Sequence, residues 1–168
     1  AGALRGQVVH HGQQRRGGQA HLGLTADDLM LASIHGTSTE ANDVNETKLH
    51  ADLAAAIGRR PGHVLPVTAQ KALTGHSKGG AAAWQVAGAL QAMADGVIPG
   101  MPNLEDPDPR LAGHPALAYP DRPIELGPNR LTAALVTSLG FGHVGAAVLV
   151  VHPDVLLAGL PAEARAAY

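Results

Sequence analysis

Short apolar segments alternate with longer helical patterns along the chain, and this alternation constrains the fold more than any single motif. Strand candidates lie at residues 31–34 and 64–69, and two further β-rich runs follow at 133–137 and 146–151. Helix-length patterns stand between the first two strands and again after the second. The order β-α-β-α-loop-β-β therefore predicts an α/β sheet with helices packed against it.

The composition fits closely packed layers of this kind. Hydrophobic residues make up 45% of the chain, yet only four of its residues are aromatic. The interior must therefore be built from Ala, Leu, Val and Gly, whose small volumes allow helices to lie close on a sheet. We expect one domain, or a large piece of one.

Capping signals set the predicted boundaries of the helices. Thr25 is the predicted N-cap of a short helical turn over residues 25–30. Asp43 and Glu46 have the spacing of a capping box at the start of the first long helix, and Gly58 ends that helix. Its predicted buried face consists of aliphatic side chains one turn apart, Leu49, Leu53 and Ile57.

The chain divides into a domain with two flanking segments. Residues 1–23 are rich in Gly, Gln, Arg and His and are predicted to be a lead-in loop or disordered. Residues 24–153 hold the domain, with a second long helix over residues 80–94. Most of the prolines lie in residues 97–130, which are predicted to form a long surface excursion. Residues 154–168 are predicted to form a helical tail.

Charge and composition narrow the classes of function. The net charge of −2 gives no electrostatic footprint for nucleic acid or for an anionic membrane. No apolar run approaches the roughly 20 residues that span a bilayer, and no signal peptide opens the chain. The histidines lack metal-ligand spacing, and the chain has no cysteine for a disulfide, a metal site or a nucleophile. We therefore expect a cytoplasmic protein without a metal.

One motif points to a serine hydrolase. The letters GHSKG at residues 75–79 match G-x-S-x-G, in which Ser77 would be the nucleophile on a strand-to-helix turn. Asp121 with His143 or His152 could complete a triad. However, residues 71–74 intervene between the predicted strand and Gly75, and no oxyanion segment of the His-Gly-Gly-Gly type lies upstream. The hydrolase stays an alternative.

Three segments in a fixed order support a different interpretation. They are HGTST at residues 35–39, QKALTGHSKGG at 70–80 and TSLGFG at 137–142, with LTADDL at 24–29 leading into the first. In this combination the chain resembles the β-ketoacyl synthases of the thiolase fold. It is most similar to the ketosynthase domain of large type I fatty acid synthases of the fungal and actinobacterial kind. The resemblance covers residues 22–153 and implies a thiolase-like layered α/β fold.

The resemblance also implies a chemistry and assigns roles to residues. Ketosynthases condense an acyl group on a cysteine with a malonyl group, whose decarboxylation creates an enolate-like carbanion. His35 and His76 match the two histidines that stabilise the developing negative charge, and Lys71 matches the lysine that orients them, facing Asp43 or Glu46. The remaining matches are the pantetheine-binding threonines Thr37 and Thr39, the gating Phe141 with its flanking Gly140 and Gly142, and the supporting carboxylates Asp43 and Glu46.

The absence of cysteine implies that the nucleophile lies outside this chain. By resemblance, residues 1–168 are the C-terminal portion of a ketosynthase and bind no cofactor of their own, because substrates arrive on the phosphopantetheine of acyl carrier protein. The expected partners are that carrier, the N-terminal half of the ketosynthase, other synthase domains and further copies in a homo-oligomer. A catalytically silent remnant of a ketosynthase is the third hypothesis.

Overall fold

A five-stranded sheet forms the centre of the molecule. The computed structural model describes residues 22–140, 142 and 144–167. The sheet has the order β4-β2-β1-β6-β7, built from β1 (Leu29–Ser33), β2 (Leu65–Thr68), β4 (Leu117–Ala118), β6 (Ala133–Gly140) and β7 (Val144–Val151). The pairs β1–β2, β1–β6 and β2–β4 are parallel, and only the β6–β7 hairpin is antiparallel. These residues form a mixed sheet, and the α/β class is as predicted.

Helices cover both faces of this sheet. The helices are α1 (Glu40–Ile57), α2 (Lys71–Thr74), α3 (Ala81–Asp95), α4 (Pro109–Ala112), α5 (Pro153–Ala158) and α6 (Ala162–Arg165), with 3₁₀ turns at Ala26–Asp28 and Lys78–Gly80. Neighbouring residues of β6 belong to different core clusters, since side chains of a strand alternate between faces. Leu135 packs with Leu53 of α1, whereas Val136 packs with Met93 of α3. The two long helices therefore lie on opposite faces.

The first long helix begins earlier than the sequence predicts. Its N-cap is Thr39, three residues after a left-handed glycine at position 36, so Asp43 lies inside the helix and is not its cap. The predicted capping-box partner, Glu46, is fully buried and bonds the loop before the helix. Gly58 ends the helix with φ of 80°, as predicted. The helix start predicted from the capping-box spacing was wrong, because the Glu46 carboxylate makes a tertiary contact with the preceding loop.

The proline-rich residues 97–130 are not only a surface excursion. They contain β4, which extends the main sheet, and β3 (Val97–Ile98), which pairs with β5 (Ile124–Glu125). Ile98, Met101 and Leu117 are buried. The excursion is therefore tied into both sheets, although strands of two residues give too little pattern to be seen in the sequence.

Two negative findings concern the described part of the chain. None of its helices is both long and apolar enough to cross a membrane. None of its clusters of three or more His, Cys, Asp or Glu side chains could hold a metal ion.

Candidate functional site

The three motif segments meet at one edge of the sheet. In the parallel part of the sheet, β1 ends beside β2 and β6, with Ser33 paired to Thr68 and to Val136. The chain leaving β1 carries His35, and the chain leaving β2 carries residues 70–80. Carboxyl ends of adjacent parallel strands are where α/β proteins place their functional loops. The described residues of the three motifs therefore lie at the same edge of the sheet.

Glu46 holds the loop that carries His35. Its carboxylate accepts hydrogen bonds from the backbone N–H groups of His35 (2.8 Å) and Gly36 (2.7 Å) and from the Asn42 amide (2.8 Å). The side chain has no exposed surface. A buried carboxylate with three donors is a stable arrangement, because the donors replace its lost hydration. Helix α1 therefore fixes the position of the His35 backbone.

Gly36 allows the same loop to pass close to β2. Its φ is +48°, in the left-handed region, and a Cβ atom there would lie 2.6 Å from Ala69 Cβ. Only glycine fits both the dihedral angle and the space. The loop after β1 is thereby pressed against the start of the second motif.

Lys71, at the start of α2, contacts His35 directly. Its Nζ lies 3.3 Å from His35 Nδ1 and also donates to the His35 carbonyl oxygen. Burial lowers the pKa of His35, and the nearby Lys71 charge lowers it further, while Glu46 opposes the shift. An ammonium group can only donate, so Nδ1 accepts and the neutral ring carries its proton on Nε2. Lys71 therefore bonds His35 itself, and burial lowers the pKa of Lys71. Its orienting role stays a prediction.

His76 faces His35 from the adjacent segment. The two ring centroids are 5.7 Å apart and the rings are nearly perpendicular, at 89°. The backbone N–H of Lys78 donates to His76 Nδ1 at 2.9 Å, so in this arrangement the His76 proton also sits on Nε2. His76 is exposed, whereas His35 is buried. The two rings therefore lie close together at the sheet edge, one on the interior side and one on the surface side, each with its proton on Nε2.

The predicted substrate-binding threonines lie beside the histidines. The hydroxyl oxygens of Thr37 and Thr39 are 3.3 Å apart on the loop between β1 and α1, and Ser38 between them has a φ of 54°. Thr39 is exposed and Thr37 half-buried. Such a pair can donate to an extended polar chain lying across the loop.

The supporting carboxylate Asp43 lies one turn into α1. It is half-buried, and its pKa is raised by that burial and by the neighbouring carboxylates Glu46 and Asp108. The carboxylate that acts on the pKa of Lys71 is Glu46, which raises it against the effect of burial. Of the two predicted support residues, Glu46 is the one that bonds the histidine loop.

The third motif ends β6 and turns into β7. Gly140 pairs with Val144 at the end of the hairpin, and Gly142 has a φ of 78°. Phe141 and His143 lie outside the described residues. The gating role of Phe141 therefore stays a prediction, as does the binding role of its two glycines.

Two buried polar side chains beneath the site were missed as functional candidates. Gln85 of α3 and His50 of α1 have no exposed surface. His50 donates from Nδ1 to the Glu46 carbonyl at 2.8 Å, and its Nε2 lies 3.3 Å from the Thr137 hydroxyl. The available signal was the i, i+4 spacing of His50 from Glu46, which places both on one helix face.

Among the described residues, Ser77, Asp121 and His152 do not form a triad. His152 caps α5 by accepting from the Asp154 backbone N–H, and its Nε2 lies 3.3 Å from Asn129 Oδ1. Asp121 lies near Arg122, with 3.8 Å between the charged groups. Ser77 precedes the 3₁₀ turn Lys78–Gly80 and does not follow directly from a strand. The other proposed partner of Ser77, His143, is outside the described residues.

Comparison with known sequences points to one family. Residues 10–105 match the family described as Beta-ketoacyl synthase, C-terminal domain. The chain is 45% identical over 148 residues to the fatty acid synthase apf5 of Gibberella fujikuroi, covering 88% of this chain and 9% of that protein. It is 44% identical over 145 residues to the fatty acid synthase subunit alpha of Emericella nidulans, with 86% and 9% covered. The chain thus spans less than a tenth of the length of these relatives.

Comparison with solved structures supports the same fold. An oxazolomycin ketosynthase domain from Streptomyces albus superposes with a TM-score of 0.66 at 22% identity, covering 77% of this chain and 23% of that one. The predicted thiolase-like layered α/β fold is confirmed by this likeness. The family match covers more than half of the residues of this chain, and the relatives of the chain are fungal fatty acid synthases. The chain therefore belongs to the β-ketoacyl synthase family, whose C-terminal domain it carries.

Proposed function

We propose that this chain supplies the two-histidine half of a 3-oxoacyl-[acyl-carrier-protein] synthase in fatty acid biosynthesis. The observation that carries the proposal is the convergence of His35 and His76, with ring centroids 5.7 Å apart and both Nδ1 atoms accepting hydrogen bonds. No described residue accepts a hydrogen bond from either Nε2–H, so each is available to donate to substrate. Two fixed donors are what an oxygen that gains negative charge requires.

In the proposed reaction, the bond between the malonyl carboxylate and its α-carbon breaks and CO₂ leaves. The electron pair stays on the α-carbon and spreads onto the thioester oxygen, which accepts from the Nε2–H groups of His35 and His76. The carbanion then attacks the carbonyl carbon of an acyl group held as a cysteine thioester, and the cysteine thiolate departs. This chain contains no cysteine, so the nucleophile is proposed to lie elsewhere in the protein.

The proposal includes the carrier and its arm. The hydroxyls of Thr37 and Thr39, 3.3 Å apart, would donate to the amides of the phosphopantetheine arm. That arm would be brought by acyl carrier protein, because the relatives are fatty acid synthases. The other proposed partners are the N-terminal half of the ketosynthase, further synthase domains and additional copies in a homo-oligomer, all in the cytoplasm.

The test is a condensation assay on the full-length protein. Incubation with an acyl thioester and malonyl carried on acyl carrier protein should release CO₂ and form the 3-oxoacyl product in equal amounts. Hydrolysis of the acyl thioester without CO₂ release, together with fluorophosphonate labelling of Ser77, would replace the proposal with the hydrolase. Absence of both reactions would favour the silent remnant.

The charge of Lys71 predicts a shift in the pH dependence. The proposal has His35 acting as the neutral ring with Nδ1 as acceptor, so activity is lost as the pH falls through its pKa and Nδ1 takes up a proton. Lys71 lowers that pKa, and Lys71→Met should therefore raise it and move the acid limb of the kcat profile to higher pH. The control is Lys48→Met, an exposed lysine paired with Asp52, whose profile should match the wild type. An unmoved acid limb in Lys71→Met would contradict the assignment.

A further inference from the structure

The amide of Gln85 lies directly beneath the site and collects backbone carbonyl groups. Its Nε2 lies 3.0 Å from the Ser33 carbonyl oxygen, 2.7 Å from that of Ile34 and 3.1 Å from that of Thr137. The Ser33 hydroxyl is a fourth neighbour at 3.4 Å. Four oxygens thus surround a nitrogen that has two hydrogens to donate.

This arrangement fixes the orientation of the amide. If the amide were rotated by half a turn, its Oε1 would face the three carbonyl oxygens, which is repulsive. In the observed orientation Oε1 is buried and has no hydrogen-bond partner among the described residues. A buried carbonyl oxygen without a donor loses its hydration and gains nothing in return, a cost that an apolar side chain would avoid. Gln85 therefore stabilises the core less than an apolar side chain would. Its role lies in the backbone carbonyl groups that Nε2 holds.

Gln85 bridges two strands where their own pairing stops. The last registered pair between β1 and β6 is Ser33 with Val136. The next residues along, Ile34 and Thr137, are joined instead through the Gln85 amide. Ile34 immediately precedes His35, and Thr137 opens the segment that runs to Gly140. The Gln85 amide thus extends the connection between β1 and β6 by one residue on each side, to Ile34 and Thr137.

Thr137 is also held from the other face of the sheet. Its hydroxyl oxygen lies 3.3 Å from Nε2 of His50, the ring that donates to the Glu46 carbonyl. Glu46 in turn holds the His35 and Gly36 backbone. The polar contacts beneath the site therefore connect α1, α3, β1 and β6, and Gln85 is the member that contacts both strand ends.

We propose that Gln85 is a positioning residue for the reaction, a role that rests on the proposed function. Its amide fixes the separation between the chain that leaves β1, which carries His35, and Thr137 of β6, the strand that ends at Gly140. The His35 donor then keeps a fixed position relative to β6, as one substrate requires. A shift of about 1 Å in a group at the reacting centre lowers the rate about a hundredfold, even when the substituted residue touches no substrate.

The test compares Gln85→Met with Gln91→Met in the full-length protein. Methionine keeps the length of the side chain and removes both amide hydrogens. Gln91 lies on the same helix but is exposed, where its amide bonds Asp95. One readout is hydrogen exchange of the amides of residues 34–36, which donate to the Thr68 carbonyl and the Glu46 carboxylate. The other readout is kcat and KM for malonyl decarboxylation, expressed per folded protein.

For Gln85→Met we expect faster exchange at residues 34–36 and a kcat lowered on the order of ten- to a hundredfold, with KM nearly unchanged. Gln91→Met should match the wild type in both readouts. Unchanged exchange, or faster exchange with unchanged kcat, would overturn the positioning role. If wild-type protein decarboxylates no malonyl thioester, the proposed function fails, and the exchange result still shows whether Gln85 holds the strand end.

Gln85→Asn serves if the methionine variant does not fold, since asparagine keeps an amide that is too short to reach the carbonyls. The same exchange and kcat changes are then expected. If both variants are unfolded by circular dichroism, Gln85 is a requirement for folding and the positioning assignment is wrong.

Discussion

Replacing His76 with alanine should lower the rate of malonyl decarboxylation by the full-length protein about 10²–10³-fold, the usual loss when one donor to an oxyanion is removed. The ring is exposed and its Nδ1 accepts from the Lys78 backbone, so little stability depends on it. The loss should therefore appear in kcat while the melting temperature stays close to that of the wild type. The rate of CO₂ release from malonyl thioester is the measurement.

His63→Ala is the matched control for this variant. His63 is also exposed, and it lies near Asp27, on a different part of the surface from the site. Its removal should leave the rate of CO₂ release unchanged. Equal rates in His76→Ala and His63→Ala would remove His76 from the proposed mechanism.

Replacing Glu46 with alanine should damage both stability and activity. The change leaves two backbone N–H groups, those of His35 and Gly36, without their acceptor. Unpaired buried donors cost about 1–3 kcal/mol each, so the free energy of unfolding in this region should fall by roughly 2–6 kcal/mol. Native-state hydrogen exchange at residues 35 and 36 measures this change, and kcat should fall because the His35 donor is no longer held.

Glu40→Ala is the control for the loss of one negative charge from α1, which Glu46→Ala also causes. The Glu40 side chain is 77% exposed and pairs with Arg110. Exposed ion pairs contribute little, so its removal should change the free energy of unfolding by less than about 1 kcal/mol. A Glu46→Ala variant as stable as Glu40→Ala would show that the loop after β1 does not depend on the buried carboxylate.

The sheet and its helices could be predicted because their patterns are local. The strand that became β6 and the glycine that ends α1 are visible as an apolar run and a helix stop. The start of α1 was not, because the loop after Gly36 places the cap at Thr39 and takes Glu46 into a tertiary contact. Capping rules read only neighbouring residues, and this carboxylate bonds residues 10 and 11 positions away.

The site was predicted from motif combinations, and its supporting residues were not. His35, Lys71 and His76 stand in recognisable segments, and the structure brings them together. Gln85 and His50 have no such context, since a polar residue on a helix gives no sign that it will be buried. Their partners Ser33 and Thr137 become neighbours only through parallel pairing of distant strands.

The most direct test of the central claim, that His35 and His76 act on one oxygen, is a double-mutant cycle on malonyl decarboxylation. His35→Ala, His76→Ala and the double variant are compared with the wild type in the full-length protein. Residues that act as a unit give strongly non-additive losses, so the double variant should be little slower than the slower single variant. If the two losses multiply instead, the histidines act independently and the shared-oxyanion account is contradicted.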